Sequence, residues 1–175
     1  MPTGNNPPGD TMPLDNVPAS QASDGRWKIG HVPIGSNALS AAILKGATTN
    51  NLTYSFTATG FNYSLAQAEV PDPRLTLVTS LSRPGKTTES LEVQYIDSTD
   101  AKSAAVLLPA GTTGQFVVRR GIDNATDWAA GQIVDVITFQ AGVQRPDAPT
   151  ENGLDTITQG MYITAVTQRK VVLVA

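Results

Sequence analysis

The sequence predicts an α+β domain that is mainly β, an antiparallel β-sandwich or strongly bent half-barrel with one main helix, preceded by an extended N-terminal arm. Three observations carry this reading. Apolar and polar residues alternate in several segments separated by Gly, Pro, Asn and Asp clusters, the period of half-buried strands. Only the stretch Ala101 to Leu108 combines alanine-rich helix propensity with end signals, Asp97 to Thr99 before it and Pro109-Ala110-Gly111 after it. Residues 1–35 are rich in proline and poor in large apolar side chains, so they bury too little surface to offset the entropy of ordering. The domain organisation expected is therefore an arm over 1–35 and a β-rich domain over 36–175.

Along the chain, Trp27, Ile29, Val32 and Ile34 stand at the inner end of the arm, where they would serve as aromatic and aliphatic anchors on a neighbouring surface. Ser36 to Gly46 reads as a short helix with a hydroxyl cap and a closing glycine. Leu52, Tyr54, Phe56 and Ala58 alternate with Thr53, Ser55, Thr57 and Thr59, a strand with a neutral outer face. A second alternation covers Leu75, Leu77, Thr79 and Leu81. Arg83-Pro84-Gly85-Lys86 then supplies a turn before the strand Leu91 to Tyr95, with Arg83 to Ser90 as a loop free for contacts. Gln115 to Arg120, Gln132 to Val143 and Met161 to Val172 complete the strands. Gly60 and Gly131 punctuate strong strand patterns and are expected in turns.

Composition narrows the function. The chain has 175 residues, 40% hydrophobic and 15% charged, with a formal net charge of −3. A neutral surface of this kind suits a subunit that meets copies of itself. The negative balance argues against a protein that binds nucleic acid by neutralising phosphates. There is no cysteine, so disulfides, thiolate metal sites and cysteine nucleophiles are absent. No window approaches a transmembrane span, and the start lacks the regions of a signal peptide. His31 is the single histidine and falls in the proline-rich arm, which leaves no Ser-His-Asp constellation and no metal centre. Arg119 and Arg120 point to opposite faces of a strand and are assigned to inter-subunit ion pairing. Val172 and Leu173 belong to a terminal apolar run that would finish a core strand or be shared with a neighbour.

Three segments together resemble a known family: Leu52 to Phe61 with its Ala58-Thr59-Gly60-Phe61 ending, Phe116 to Gly121, and Ala129-Ala130-Gly131-Gln132 running into Ile133-Val134-Asp135-Val136. Over roughly Ser36 to Val143 the chain resembles the tail tube, or major tail, proteins of siphophages, especially those infecting actinobacteria. The resemblance implies a non-enzymatic virion subunit that needs no cofactor. Its tail-tube-like domains would form homohexameric rings stacked into a hollow tube, assembled in the host cytoplasm. DNA would pass through without specific binding. Partners implied are further copies, the tape measure, the tail terminator and the distal tail protein, with no membrane. The arm and a long hairpin loop carrying Arg83 and Lys86 would bridge neighbours. Two other readings compete: the inner tube of a contractile injection machine, and a monomeric β-sandwich module recognising a glycan or surface protein.

Overall fold

The computed structural model describes residues 20, 22–75 and 78–175. Most of the expected arm, and Leu77 of the expected Leu75 to Leu81 strand, lie outside them. Eight strands form one curled antiparallel sheet: β1 (Trp27–Pro33), β2 (Asn50–Asn51), β3 (Phe56–Asp72), β4 (Leu81–Ile96), β5 (Thr113–Arg120), β6 (Ile133–Pro146), β7 (Thr156–Ile163) and β8 (Gln168–Val172). The order is β2-β1-β5-β6-β7-β4-β3, with β8 also on β6. This is the expected mainly β half-barrel. β7 pairs with the second half of β6 and β8 with the first, so a four-residue excursion over 164–167 interrupts what is otherwise one strand line. The β6–β7 register also shifts between Ala141 and Gln144, and such irregularities increase local twist and bend a sheet.

Both faces of the central strands are covered. Phe116 and Val118 point into the enclosed side of the curl with Ile29, Val93, Tyr95, Ile137 and Phe139. Val117 points the other way, with Val32, Leu44, Trp128, Val134, Val136 and Leu173. The enclosed cluster is built on stacked rings, Phe116 and Phe139 at 4.0 Å between centroids, with Phe61 edge-on to Phe116 at 5.7 Å. Offset stacking and edge-to-face contact are the favoured aromatic geometries and add to the area they bury.

Four expectations change. The main helix expected through Ala101 to Leu108 shortens to α2 (Ala104–Leu107), while the short helix expected within Ser36 to Gly46 is α1 (Ala41–Lys45). Asp100 holds the chain before α2 in a turn, accepting the Lys102 N–H at 2.7 Å, and Pro109 ends the segment soon after. The Ser40 hydroxyl, instead of capping α1, donates to the Ala175 carbonyl at 3.2 Å.

Next, Trp27–Pro33 is a sheet strand flanked by β2 and β5, so the stretch expected as arm contains part of the core. Trp27, Ile29 and His31 alternate on one side of it, a period-two signal hidden among prolines and glycines.

The hairpin boundaries also exchange places. Pro84 and Gly85 lie within β4, and the connection falls over 73–80. Pro84 sits opposite Glu69 at a register shift, where no ladder donor is required. Gly85 fits because a Cβ there would meet the Ala68 carbonyl oxygen at 2.9 Å. Asp72 pins the base of the connection, accepting from Arg74 at 2.9 Å and Arg83 at 3.2 Å.

Gly60 occupies a bulge in β3, not a turn; a Cβ would run into the Gln94 carbonyl oxygen. Gly131 does sit in a turn, with φ +87°. Gly131→Val is expected to destabilise the fold by about 1–3 kcal/mol, the cost of holding an ordinary residue in a left-handed conformation. A denaturant midpoint equal to that of the wild type would refute this.

Candidate interaction surface

Beyond the pair Tyr63–Leu91 the β3–β4 hairpin leaves the body as a two-stranded ribbon, with nearly every residue of 64–72 and 81–90 exposed. An isolated two-stranded ribbon is marginal in water, and its length here, with edges free of partners among the described residues, is a template for pairing with another chain. Arg83 and Lys86 lie on this ribbon. Its apolar side chains stand in solvent: Leu75 and Val78 are essentially fully exposed and Val70 half so.

Where the curled sheet nearly closes on itself, β1 and the start of β3 flank an open cleft of about 410 Å³. Trp27, Ile29, Tyr54, Phe56, Ala58 and Phe61 give it apolar walls, and among the described residues Asp24 is the only charged one lining it. Trp27 and Ile29, expected as anchors, therefore contribute to this cleft, with Ile29 packed into the enclosed core. Ile34 follows β1 and is exposed.

The neighbouring arginines divide as the pleat requires. Arg119 is fully buried and organises the loop over 121–132. One terminal nitrogen donates to the Asp127 carbonyl at 3.1 Å and Gln132 Oε1 at 3.0 Å, the other to the carbonyls of Asp123 at 2.8 Å and Thr126 at 2.9 Å. Its guanidinium stacks 5.2 Å from the Trp128 ring. Lys28 Nζ donates to the same Thr126 carbonyl at 3.0 Å, and burial together with the nearby Arg119 charge lowers its pKa. Arg120 is half exposed, bonds Asp135 and lies over the Trp27 ring. The ion pair expected between subunits is thus met for Arg120 within its own subunit, and Arg119 is enclosed by its own loop.

At the C-terminus, Leu173 is buried, while Val172 stands outward opposite Ile133.

Two interior polar groups were not anticipated as core. Tyr95 donates to Gln159 Oε1 at 2.8 Å and accepts from Gln144 Nε2 at 3.0 Å, while both glutamines donate to the Leu108 carbonyl, tying α2 to the sheet. Burial pushes the Tyr95 hydroxyl up to about 12.

His31, expected solvated or at an interface, is buried against Phe116 and Phe139, and neither ring nitrogen has a hydrogen-bond partner among the described residues. Burial lowers its pKa below 6.5. Below that pH the unfolded chain takes up a proton that the folded state resists, so stability is full above 6.5 and falls as the pH drops toward the folded-state value. Denaturation midpoints are expected to decline from pH 7 to 5, and the decline should be shallower in His31→Leu. Parallel profiles for the two proteins would refute the assignment. Asp147 titrates in a separate window: hydrogen bonds from Thr156, Gln94 and Thr158 hold it below 3.8, so its contribution is lost only in stronger acid.

Among the described residues no His, Cys, Asp and Glu grouping could hold a metal, and no helix is long and apolar enough to cross a membrane. A half-barrel with a long unpaired edge and a projecting ribbon defines a class of sheet-building structural subunits. The family comparison agrees: the phage tail tube protein family matches residues 14–175, and the chain belongs to that family. No curated protein matches it. Membership makes the chain a structural component of the virion tail that associates with its own kind and with other tail parts.

Proposed function

We propose that this chain forms homohexameric rings that stack into the channel through which a siphophage delivers its DNA, assembled in the host cytoplasm. The observation that carries the proposal is the ribbon: the outer edge of β3 over 56–72 and the edge of β4 over 81–90 are both free of partners among the described residues. Pairing one copy's β3 with the next copy's β4 would remove both edges at once, and repeated pairing closes a barrel.

The pleat supports a conduit. Val93 is buried and Glu92 faces out; Asn62, Ser64, Ser90, Gln94, Thr158 and Gly160 share that outward face by register. Its charges are matched or tied: Arg145 bonds Glu92 at 3.2 Å, and Asp147 accepts from Gln94, Thr156 and Thr158. Around Glu92 the cation Arg145 is held by that carboxylate, so this wall offers phosphates little counterion to displace and duplex DNA would slide without adhering. The terminal arm, Ile34, Arg83, Lys86 and Val172 supply further contacts between copies and toward the tape measure, tail terminator and distal tail protein.

Negative-stain electron microscopy of the concentrated chain, with sizing of the same sample, tests this. Hollow rings or tubes are the expected result; a monomer at every concentration would overturn it.

A further inference from the structure

We propose that the hollow between Tyr63 and β8, at the open end of the curl, is a binding site for a small carboxylate, with Arg169 as its cation and Tyr63 as its hydroxyl donor. The site lies within one subunit and does not depend on how copies assemble.

The hollow, about 90 Å³, adjoins the enclosed core where β1 begins and β5 ends. Val118, Ile137 and Phe61 give it an apolar floor, and Trp27 and Tyr63 form walls. A water molecule's share of liquid volume is about 30 Å³, so the space takes a group of acetate or propionate size.

The polar groups around it are mostly committed to one another. Asp135 accepts from Arg120 through one oxygen and from the Lys170 N–H, at 2.8 Å, through the other. Arg120 also covers the Trp27 ring, and the Thr167 hydroxyl donates to Glu89. Two donors remain. Arg169 lines the hollow yet enters none of the ion pairs formed among the described residues. The Tyr63 hydroxyl is buried and has no hydrogen-bond partner among them. Three cations, Arg120, Arg169 and Lys170, stand against two carboxylates, Asp135 and Glu89, which leaves one positive charge in excess. A guanidinium presents two parallel N–H groups to a carboxylate, and the floor accommodates a short apolar stem.

The aim of Arg169 is set by a bulge. Val134 pairs with Val171 but Val136 pairs with Gln168, so Arg169 and Lys170 both stand against Asp135. Val171 and Leu173 pack on the far side of the sheet with Val134 and Val136, and unbroken alternation would send Arg169 there with them. Lys170, at φ +53°, breaks the alternation and turns Arg169 and Thr167 toward the enclosed side. A lysine held in the left-handed region is strained, and such strain gathers at ligand clamps.

Equilibrium dialysis of radiolabelled propionate against the full chain at pH 7.5, as free subunits and as assemblies, tests the site. Saturable retention of about one propionate per chain is expected, with propylamine not retained. Arg169→Gln should weaken binding by about tenfold or more, the loss of a hydrogen-bonded charge. Tyr63→Phe should weaken it less, and neither variant should lower the melting temperature. Propionate held by free subunits but excluded from assemblies would identify the natural carboxylate as an acidic side chain of a neighbouring copy; retention by both would identify it as a free acid. Retention that is absent, that does not saturate, or that Arg169→Gln leaves unchanged overturns the site, and the tube reading stands in each case.

Discussion

Replacing Leu65 to Glu89 by Asn-Gly, so that Ser64 turns directly into Ser90, is expected to abolish rings and tubes while leaving a folded monomer. Ser64 and Ser90 are register partners, so a two-residue turn can join them without shifting the pairs that reach the core. No residue in the described part of the excised ribbon is buried. The excision takes from the body of the subunit chiefly one side-chain hydrogen bond, donated by the Thr167 hydroxyl to Glu89, worth about 1–2 kcal/mol. The ribbon's contribution to a lone subunit is thus slight, and its contribution to assembly is the free edge of each strand. Circular dichroism and sizing read the fold; microscopy reads the assembly. Normal tubes from the shortened chain would sink the edge-pairing proposal. A shortened chain that fails to fold would show the ribbon to be part of the core.

The largest effect on stability is expected at Arg119. Arg119→Met keeps an apolar stem against Trp128 but removes four donated hydrogen bonds. The carbonyls of Asp123, Thr126 and Asp127 keep second donors in the Thr126 N–H, Lys28 Nζ and Gln132 Nε2, while Gln132 Oε1 loses its partner. Hydrogen bonds to a charged group are worth about 1.5–3 kcal/mol each, and the donors that remain on the carbonyls reduce the sum. A net loss of about 3–5 kcal/mol follows, a fall in melting temperature of roughly 6–20 °C for a chain of this length. Arg119→Lys should rescue little, because an ammonium cannot reproduce the planar fork that reaches four acceptors. A melting temperature within a degree of wild type for Arg119→Met would show that the loop over 121–132 is held by something other than this guanidinium.

These two predictions differ in how far the residues alone foretold them. Apolar runs in Gln115 to Arg120 and Gln132 to Val143, set off by Gly121 and Ala130-Gly131, announced β5 and β6 directly. Because side chains alternate along a strand, Arg119 and Arg120 fall on opposite faces. Alternation does not say which face is covered, and the burial of Arg119 comes from Trp128 and a loop that folds back from beyond the strand. The ribbon was misplaced for a related reason. Pro84-Gly85 carries a strong turn signal, yet Asp72, joined to Arg74 and Arg83, moves the reversal to 73–80 and leaves the proline on an unpaired edge. His31 and Trp27 were set in an arm because prolines and glycines surround them. Their strand is held by β5, more than eighty positions away in sequence.

Read alone, the residues established a mainly β antiparallel class, excluded thiol chemistry and carried a resemblance to tail tube proteins that the family match bears out. They were sufficient there because composition and the period of two are local properties. The register, the curl that opens the cleft, the reach of the ribbon and the covered face of each strand came from pairing between distant segments. Shifting a strand by one residue exchanges its two faces, so those features exist only once the partner strand is in place.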